Sequence, residues 1–138
     1  MAEITGTALT YGNASGEILV LDEPVSFWGG VDHLGFVADV HHAQHGVSIT
    51  GKVLLMTGGR GSSSGSFCLM ELMRTHLAPA AIVMCEADGI VCTGVLVGTA
   101  TYGYELPVVQ LTPAEYEQVP AGVVAQVVST PQGARMSW

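Results

Sequence analysis

The run from Lys52 to Leu77 limits the fold of this chain more than any other part of it. Lys52-Val53-Leu54-Leu55-Met56 is a short apolar segment flanked by turn residues, and it reads as a buried strand. The segment Gly58-Gly59-Arg60-Gly61-Ser62-Ser63-Ser64-Gly65-Ser66 follows almost at once, with Gly58 to Gly61 as a loop. From about Ser64 to Leu77 the apolar residues Phe67, Leu69, Met70, Leu72 and Met73 recur at helical spacing, and Pro79 is expected to stop that helix. A buried strand, a glycine-rich loop and an amphipathic helix in that order point to an α/β domain whose sheet has a parallel component.

The flanking segments fit this frame. Thr5 to Leu9 and Glu17 to Leu21 read as strands, with Gly12-Asn13-Ala14-Ser15-Gly16 as the turn between them. Pro24 to Gly51 is irregular and rich in Gly, His and Asp; a loop that long inside a compact domain usually has a function. Ala80 to Met84, Pro107 to Leu111 and Val123 to Val128 read as further strands, Ile90 to Thr99 as a short helix, and the last few residues as a tail. The expected architecture is one α/β domain over residues 1–138, with three layers and mixed sheets, helices on one side and an antiparallel part from the N-terminal strands.

Composition excludes several function classes. Only Lys52, Arg60, Arg74 and Arg135 carry fixed positive charge, and the formal charge is -8, so the basic footprint of a nucleic-acid binder is missing. There is also no basic amphipathic stretch for an anionic membrane surface, and no apolar run of the ~18 residues a span needs. The start, Met1-Ala2-Glu3-Ile4-Thr5, lacks signal-peptide features, and Cys68, Cys85 and Cys92 imply no disulfide framework, so a reducing cytoplasm is expected. Charged residues make up 12% of the chain, about half the usual share, which suggests a surface partly covered by a permanent partner.

The serine-rich loop is the strongest candidate site. It joins a strand to a helix, so its N–H groups and the helix dipole favour an anion there. Its glycines let a ligand come close, Arg60 adds charge, and Ser62, Ser63 and Ser64 add hydroxyl donors and acceptors. Simple helix capping is the plainer reading, but three adjacent serines exceed what a cap needs. No lysine stands in the loop, which excludes a Walker loop, and Ser64 stands where a dinucleotide fingerprint needs glycine. Gly61-Ser62-Ser63-Ser64-Gly65 matches a nucleophile elbow, but no histidine follows His76, so a complete hydrolase triad is rejected.

Other polar groups are less informative. His41, His42 and His45, with His33 upstream, are read as a polar surface loop rather than a zinc site. The cysteines lack iron–sulfur spacing, so no cluster and no metal is expected on this chain. Glu86-Ala87-Asp88-Gly89 follows a buried strand and is equally compatible with a ligand site and an acidic turn.

Taken together, Pro24 to Asp32, Gly51 to Leu55, Gly59 to Ser66, Ala78 to Val83, Glu86 to Ile90 and Thr93-Gly94 resemble the small subunit, or swivelling domain, of the aconitase X family. The resemblance implies a swivelling β/β/α domain that closes over a large subunit holding an iron or iron–sulfur centre. It also implies dehydration of a small hydroxy acid, with cis-3-hydroxy-L-proline preferred and mevalonate 5-phosphate as the alternative. In the wider aconitase family the loop reads Gly-x-Gly-Ser-Ser-Arg-Glu-His, and its first serine takes the proton. Ser62 matches that base and Ser63 the second serine, while Ser64 stands in place of the arginine and Gly65 and Ser66 replace the acid and histidine. Arg60, Gly61, Ser63 and Ser64 are then the expected substrate-binding residues, and citrate-like tricarboxylates are disfavoured. Serine is a poor base unless amides and charge stabilise its alkoxide in a dry, closed site, so activity is expected only with the large subunit. Two rival readings use the same loop: a non-catalytic anion-binding or regulatory module, and a structural subunit whose serines only cap a helix.

Overall fold

The computed structural model describes residues 2–138. Strands β1 (Glu3–Thr10) and β2 (Gly12–Val20) are separated by Tyr11 alone. After a long connection come β3 (Val53–Leu55), α1 (Gly65–Arg74), β4 (Ala81–Met84), α2 (Gly89–Tyr102) and β5 (Val108–Gln110), followed by α3 (Pro113–Tyr116), β6 (Val124–Thr130) and β7 (Gly133–Ser137).

The strands close on themselves in the order β1-β5-β4-β3-β2-β6-β7. On one side β2, β3, β4 and β5 run parallel, with β1 antiparallel at the β5 edge. On the other side β2, β6, β7 and β1 are antiparallel. β1 and β2 belong to both sides and do not pair with each other. Alternation along the strands splits the core in two. Val53, Leu55, Ala81, Val83 and Val109 face the antiparallel side with Ile18, Val127 and Met136. Leu54, Met56, Ile82, Met84 and Val108 face Leu69, Leu72, Met73, Val91 and Val95 of the helices. The result is the expected α/β architecture of two β layers and a helical layer, with mixed strand directions.

Several local expectations need correction. Gly12 to Gly16 is strand, not turn; it lies in β2 and pairs with β6 from Ser129 to Ala125. The supposed tail is β7, which pairs with both β1 and β6 and buries Ala134 and Met136. α2 is the longest helix and runs to Tyr102, ended by Gly103 at φ 77°. α1 stops at Arg74, before Pro79 acts. His76 takes φ 60° there, and its N–H and that of Leu77 donate to the carbonyls of Met73 and Leu72, which closes the last turn. The short α3 was not expected, although Thr112 and Glu115 form a capping box that is visible as Thr-Pro-x-Glu.

Candidate active-site loop

The serine loop leaves the carboxyl end of β3, where α/β sheets place ligands. The Thr57 carbonyl accepts from the N–H groups of Cys85 (3.0 Å) and Glu86 (2.9 Å), which ties this end to that of β4. The acidic turn Glu86–Asp88 therefore flanks the loop. Asp88 caps α2, its Oδ1 accepting from the Val91 N–H at 2.9 Å. Its other carboxylate oxygen lies against Gly59, where any β-carbon would strike it.

The loop itself is folded by its own serines. Gly61 adopts φ +96°, and a β-carbon there would run into the Ser26 hydroxyl. Ser26 is fixed by donating to the Trp28 carbonyl (2.9 Å) and accepting from the Trp28 N–H (3.2 Å). Ser62 Oγ accepts from the Ser64 N–H at 3.1 Å, and the Ser62 carbonyl accepts from the Gly65 N–H at 2.9 Å. Ser64 is the N-cap residue of α1, yet its side chain makes no capping bond. Among the described residues, the N–H groups of Gly61, Ser62 and Ser63 find no protein acceptor. Ser62 and Ser63 are exposed and Ser64 is half-buried. The arrangement is a row of free amides and hydroxyls at a helix N-terminus, suited to an anion or to stabilising negative charge on an oxygen.

Arg60 is exposed, and its guanidinium lies 3.7 Å from a Glu23 carboxylate oxygen. So loose a pair at half-exposed positions is worth at most about 1 kcal/mol, which leaves Arg60 free to turn to a ligand. Glu23 belongs to the long connection, whose anchor is His42. His42 is buried: its Nε2 donates to the Glu23 carbonyl (2.9 Å) and its Nδ1 accepts from the Gln44 N–H (3.0 Å). His41 and His45 are exposed as expected, but His42 is a structural residue, because its ring supplies partners the irregular backbone lacks. Burial pushes the thiols of Cys68, Cys85 and Cys92 up, with Glu117 and Glu86 adding at Cys85 and Asp88 at Cys92. All three are therefore held away from the reactive thiolate. Among the described residues no three His, Cys, Asp or Glu side chains converge as metal ligands, and no helix is long and apolar enough to cross a membrane.

Arg60, Gly61, Ser62, Ser63 and Ser64 thus lie together in one loop. The sequence reading did not include Ser26 in the site and left Asp88 undecided. Asp88 had a legible cue, an Asp just before an apolar helical run. Ser26 had none, because only tertiary contact brings it to Gly61.

The Aconitase X swivel domain family model matches residues 3–134. The chain is 43% identical over 95 residues to a phosphomevalonate dehydratase small subunit of Methanothermobacter thermautotrophicus, a match covering 68% of this chain and 72% of the relative. It is 42% identical over 106 residues to a cis-3-hydroxy-L-proline dehydratase of Pseudomonas aeruginosa, covering 76% of this chain but only 18% of that much longer protein. The crystal structure of Thermococcus kodakaraensis aconitase X in its holo form superposes with a TM-score of 0.85 at 30% identity, covering 100% of both chains.

Proposed function

The chain belongs to the aconitase X swivel-domain family, and from that premise we propose that it is the small subunit of a hydro-lyase that removes water from a small hydroxy acid. The observation that carries the proposal is the loop itself: three serines and free backbone amides at the junction of a parallel strand and a helix N-terminus. Ser62 is the proposed base. Dehydration breaks a C–H bond next to a carboxylate, forms a carbon–carbon double bond and releases hydroxide. Ser62 Oγ takes the proton, and the Ser64 N–H that already donates to it stabilises the alkoxide the reaction requires. The free amides of Gly61, Ser62 and Ser63, the Ser63 and Ser64 hydroxyls and Arg60 receive the substrate's oxygens.

Ser62 is exposed, so water would hold its hydroxyl at an ordinary acidity. The proposal therefore includes closure against a large subunit, which dries the loop. An iron or iron–sulfur centre on that large subunit would supply Lewis acidity at the departing hydroxyl.

Cis-3-hydroxy-L-proline is the preferred substrate. Arg60 is the only fixed cation of the loop, so this chain offers little charge for a phosphate. Mevalonate 5-phosphate is the second reading, favoured by the relatives named phosphomevalonate dehydratase small subunit, since a helix N-terminus also accepts phosphate. The test is co-expression with the cognate large subunit and a dehydration assay on both acids. Turnover of one of them only when both chains are present supports the proposal and selects the substrate. A stable complex inert to both removes these substrates, and ligand binding by the isolated chain with no complex favours a stand-alone anion-binding module.

A further inference from the structure

We infer that Glu86 is a specificity residue of the serine-loop site: its carboxylate pairs with a cationic nitrogen on the substrate, so that the site takes a zwitterionic imino or amino acid and turns away a phosphate ester; this rests on the small-subunit reading above. The site then has two poles. The first is positive. The N–H groups of Gly61, Ser62 and Ser63 are free among the described residues, and they stand at the N-terminus of α1, where a substrate carboxylate is favoured. The second is the turn after β4. Cys85 and Glu86 both donate their N–H groups to the Thr57 carbonyl, which fixes the start of that turn beside the start of the loop. A β-carbon at Gly58 would stand 3.6 Å from both Cβ and Oε2 of Glu86, so this side chain lies along the loop, and Gly58 has no side chain to cover it.

The turn carries two carboxylates with separate tasks. Asp88 is committed to the fold: one oxygen accepts the Val91 N–H and the other is pressed against Gly59. Glu86 is exposed, and among the described residues it has no ion-pair partner. The loop's own cation, Arg60, lies beside Glu23 instead, while Lys52 and Arg74 pair with Glu17 and Glu71. An uncompensated carboxylate next to an anion-binding loop repels a doubly negative phosphate and attracts a cation. In cis-3-hydroxy-L-proline the carboxylate and the protonated nitrogen sit on the same carbon, the one that loses its hydrogen. Each pole then holds one charge, and the C–H bond is held between them. Mevalonate 5-phosphate has no cationic group and brings a second anion instead. Closure of the site sharpens the discrimination, because both the pairing and the repulsion strengthen as water leaves.

The experiment uses the full chain assembled with its cognate large subunit. Calorimetry measures the binding of L-proline and of cyclopentanecarboxylate, which has the same ring and carboxylate but no nitrogen. The parent complex is expected to bind L-proline about 10-fold or more tightly than the carbocycle. Glu86→Gln is expected to remove most of that preference, weakening L-proline and leaving cyclopentanecarboxylate within about 2-fold of the parent. Glu86→Asp, which keeps the charge, is expected to restore part of it. With cis-3-hydroxy-L-proline as substrate, Glu86→Gln should raise KM by more than it lowers kcat, as loss of a binding charge does. A preference that survives Glu86→Gln overturns the role of Glu86, and so does an equal loss for both probes, which marks a structural effect. A parent complex that turns over mevalonate 5-phosphate and binds L-proline no better than cyclopentanecarboxylate also overturns it and leaves the hydro-lyase reading intact. A complex inert to both acids whose L-proline preference disappears in Glu86→Gln supports the charge pairing and removes these acids as substrates. A complex that turns over neither acid and binds neither probe overturns both readings.

Discussion

Ser62 has two jobs that a substitution separates. Its hydroxyl accepts the Ser64 N–H and so helps shape the first turn of α1, and under the proposal it also carries the proton. Ser62→Ala should cost only about 0.5–1.5 kcal/mol of stability, the net value of one exposed hydrogen bond. Assembly with the large subunit should persist, while turnover falls by about 10²–10⁴-fold, the range for loss of a general base. Turnover within a few-fold of the parent, measured on the assembled complex, would remove Ser62 from the role. Gly61 tests the frame rather than the chemistry. With φ +96° and Ser26 against its Cα, Gly61→Ala meets both backbone strain and a collision. A loss of about 1–3 kcal/mol in urea unfolding is expected, together with lower turnover, because the loop must shift to admit the methyl group. An unchanged urea midpoint would show that the loop is less tightly seated than these contacts imply.

At the scale of elements, the serine loop is positioned by the contact between α1 and α2. Ser66 Oγ donates to the Ile90 carbonyl at 2.6 Å, and Gly94 packs directly on Ser66. A β-carbon at Gly94 would lie 2.9 Å from the Ser66 carbonyl oxygen and 3.1 Å from its Cα, backbone atoms that cannot rotate away. Gly94→Leu should therefore force the helices apart and cost about 1–3 kcal/mol, read as a lower thermal midpoint. It should also reduce turnover of the complex, since the displaced helix carries the loop. A thermal midpoint equal to the parent's would argue that α2 slides without resistance. The strands of this half were readable because short apolar runs between turn residues have few alternatives. The end of α1 was not, because it depends on His76 adopting a left-handed conformation usually left to Gly or Asn.

The whole molecule is two cores sharing one sheet, and its alkaline limit follows from what they bury. Burial pushes the Tyr116 hydroxyl up to about 12, with the charges of Cys85 and Glu117 adding to it, and pushes Tyr104 up to about 12 as well. Both values are raised above the unfolded 10.0, so the unfolded chain loses these protons first. Their contribution to stability is intact below pH 10 and is lost as the pH rises from about 10 to 12. The thiols of Cys68, Cys85 and Cys92 are raised above 9.0 in the same way, so denaturant midpoints should begin to fall near pH 9 and fall further as the tyrosines' contribution is lost. Among the described residues the Tyr116 hydroxyl has no hydrogen-bond partner, so Tyr116→Phe should leave neutral-pH stability unchanged or improved and blunt the alkaline fall. A marked loss at neutral pH would mean that the hydroxyl is bonded after all.

The order of buried strand, serine loop and helix was determined by the sequence alone, as were the α/β class, the cluster Arg60 to Ser64 and the family. Each rests on local signals: an apolar run, helical spacing, or contiguous residues that no fold could separate. Tertiary structure decided the rest. β7 reads as a tail because its five residues make sense only beside Glu3 to Gly6 at the opposite end of the chain. Gly12 to Gly16 has turn composition, yet pairing with β6 holds it extended. Ser26 reaches Gly61, Asp88 braces Gly59 and His42 is buried by the loop it anchors, contacts that join residues far apart in the chain. Local periodicity reports which face of a segment avoids water; only the folded packing decides which distant segment that face meets.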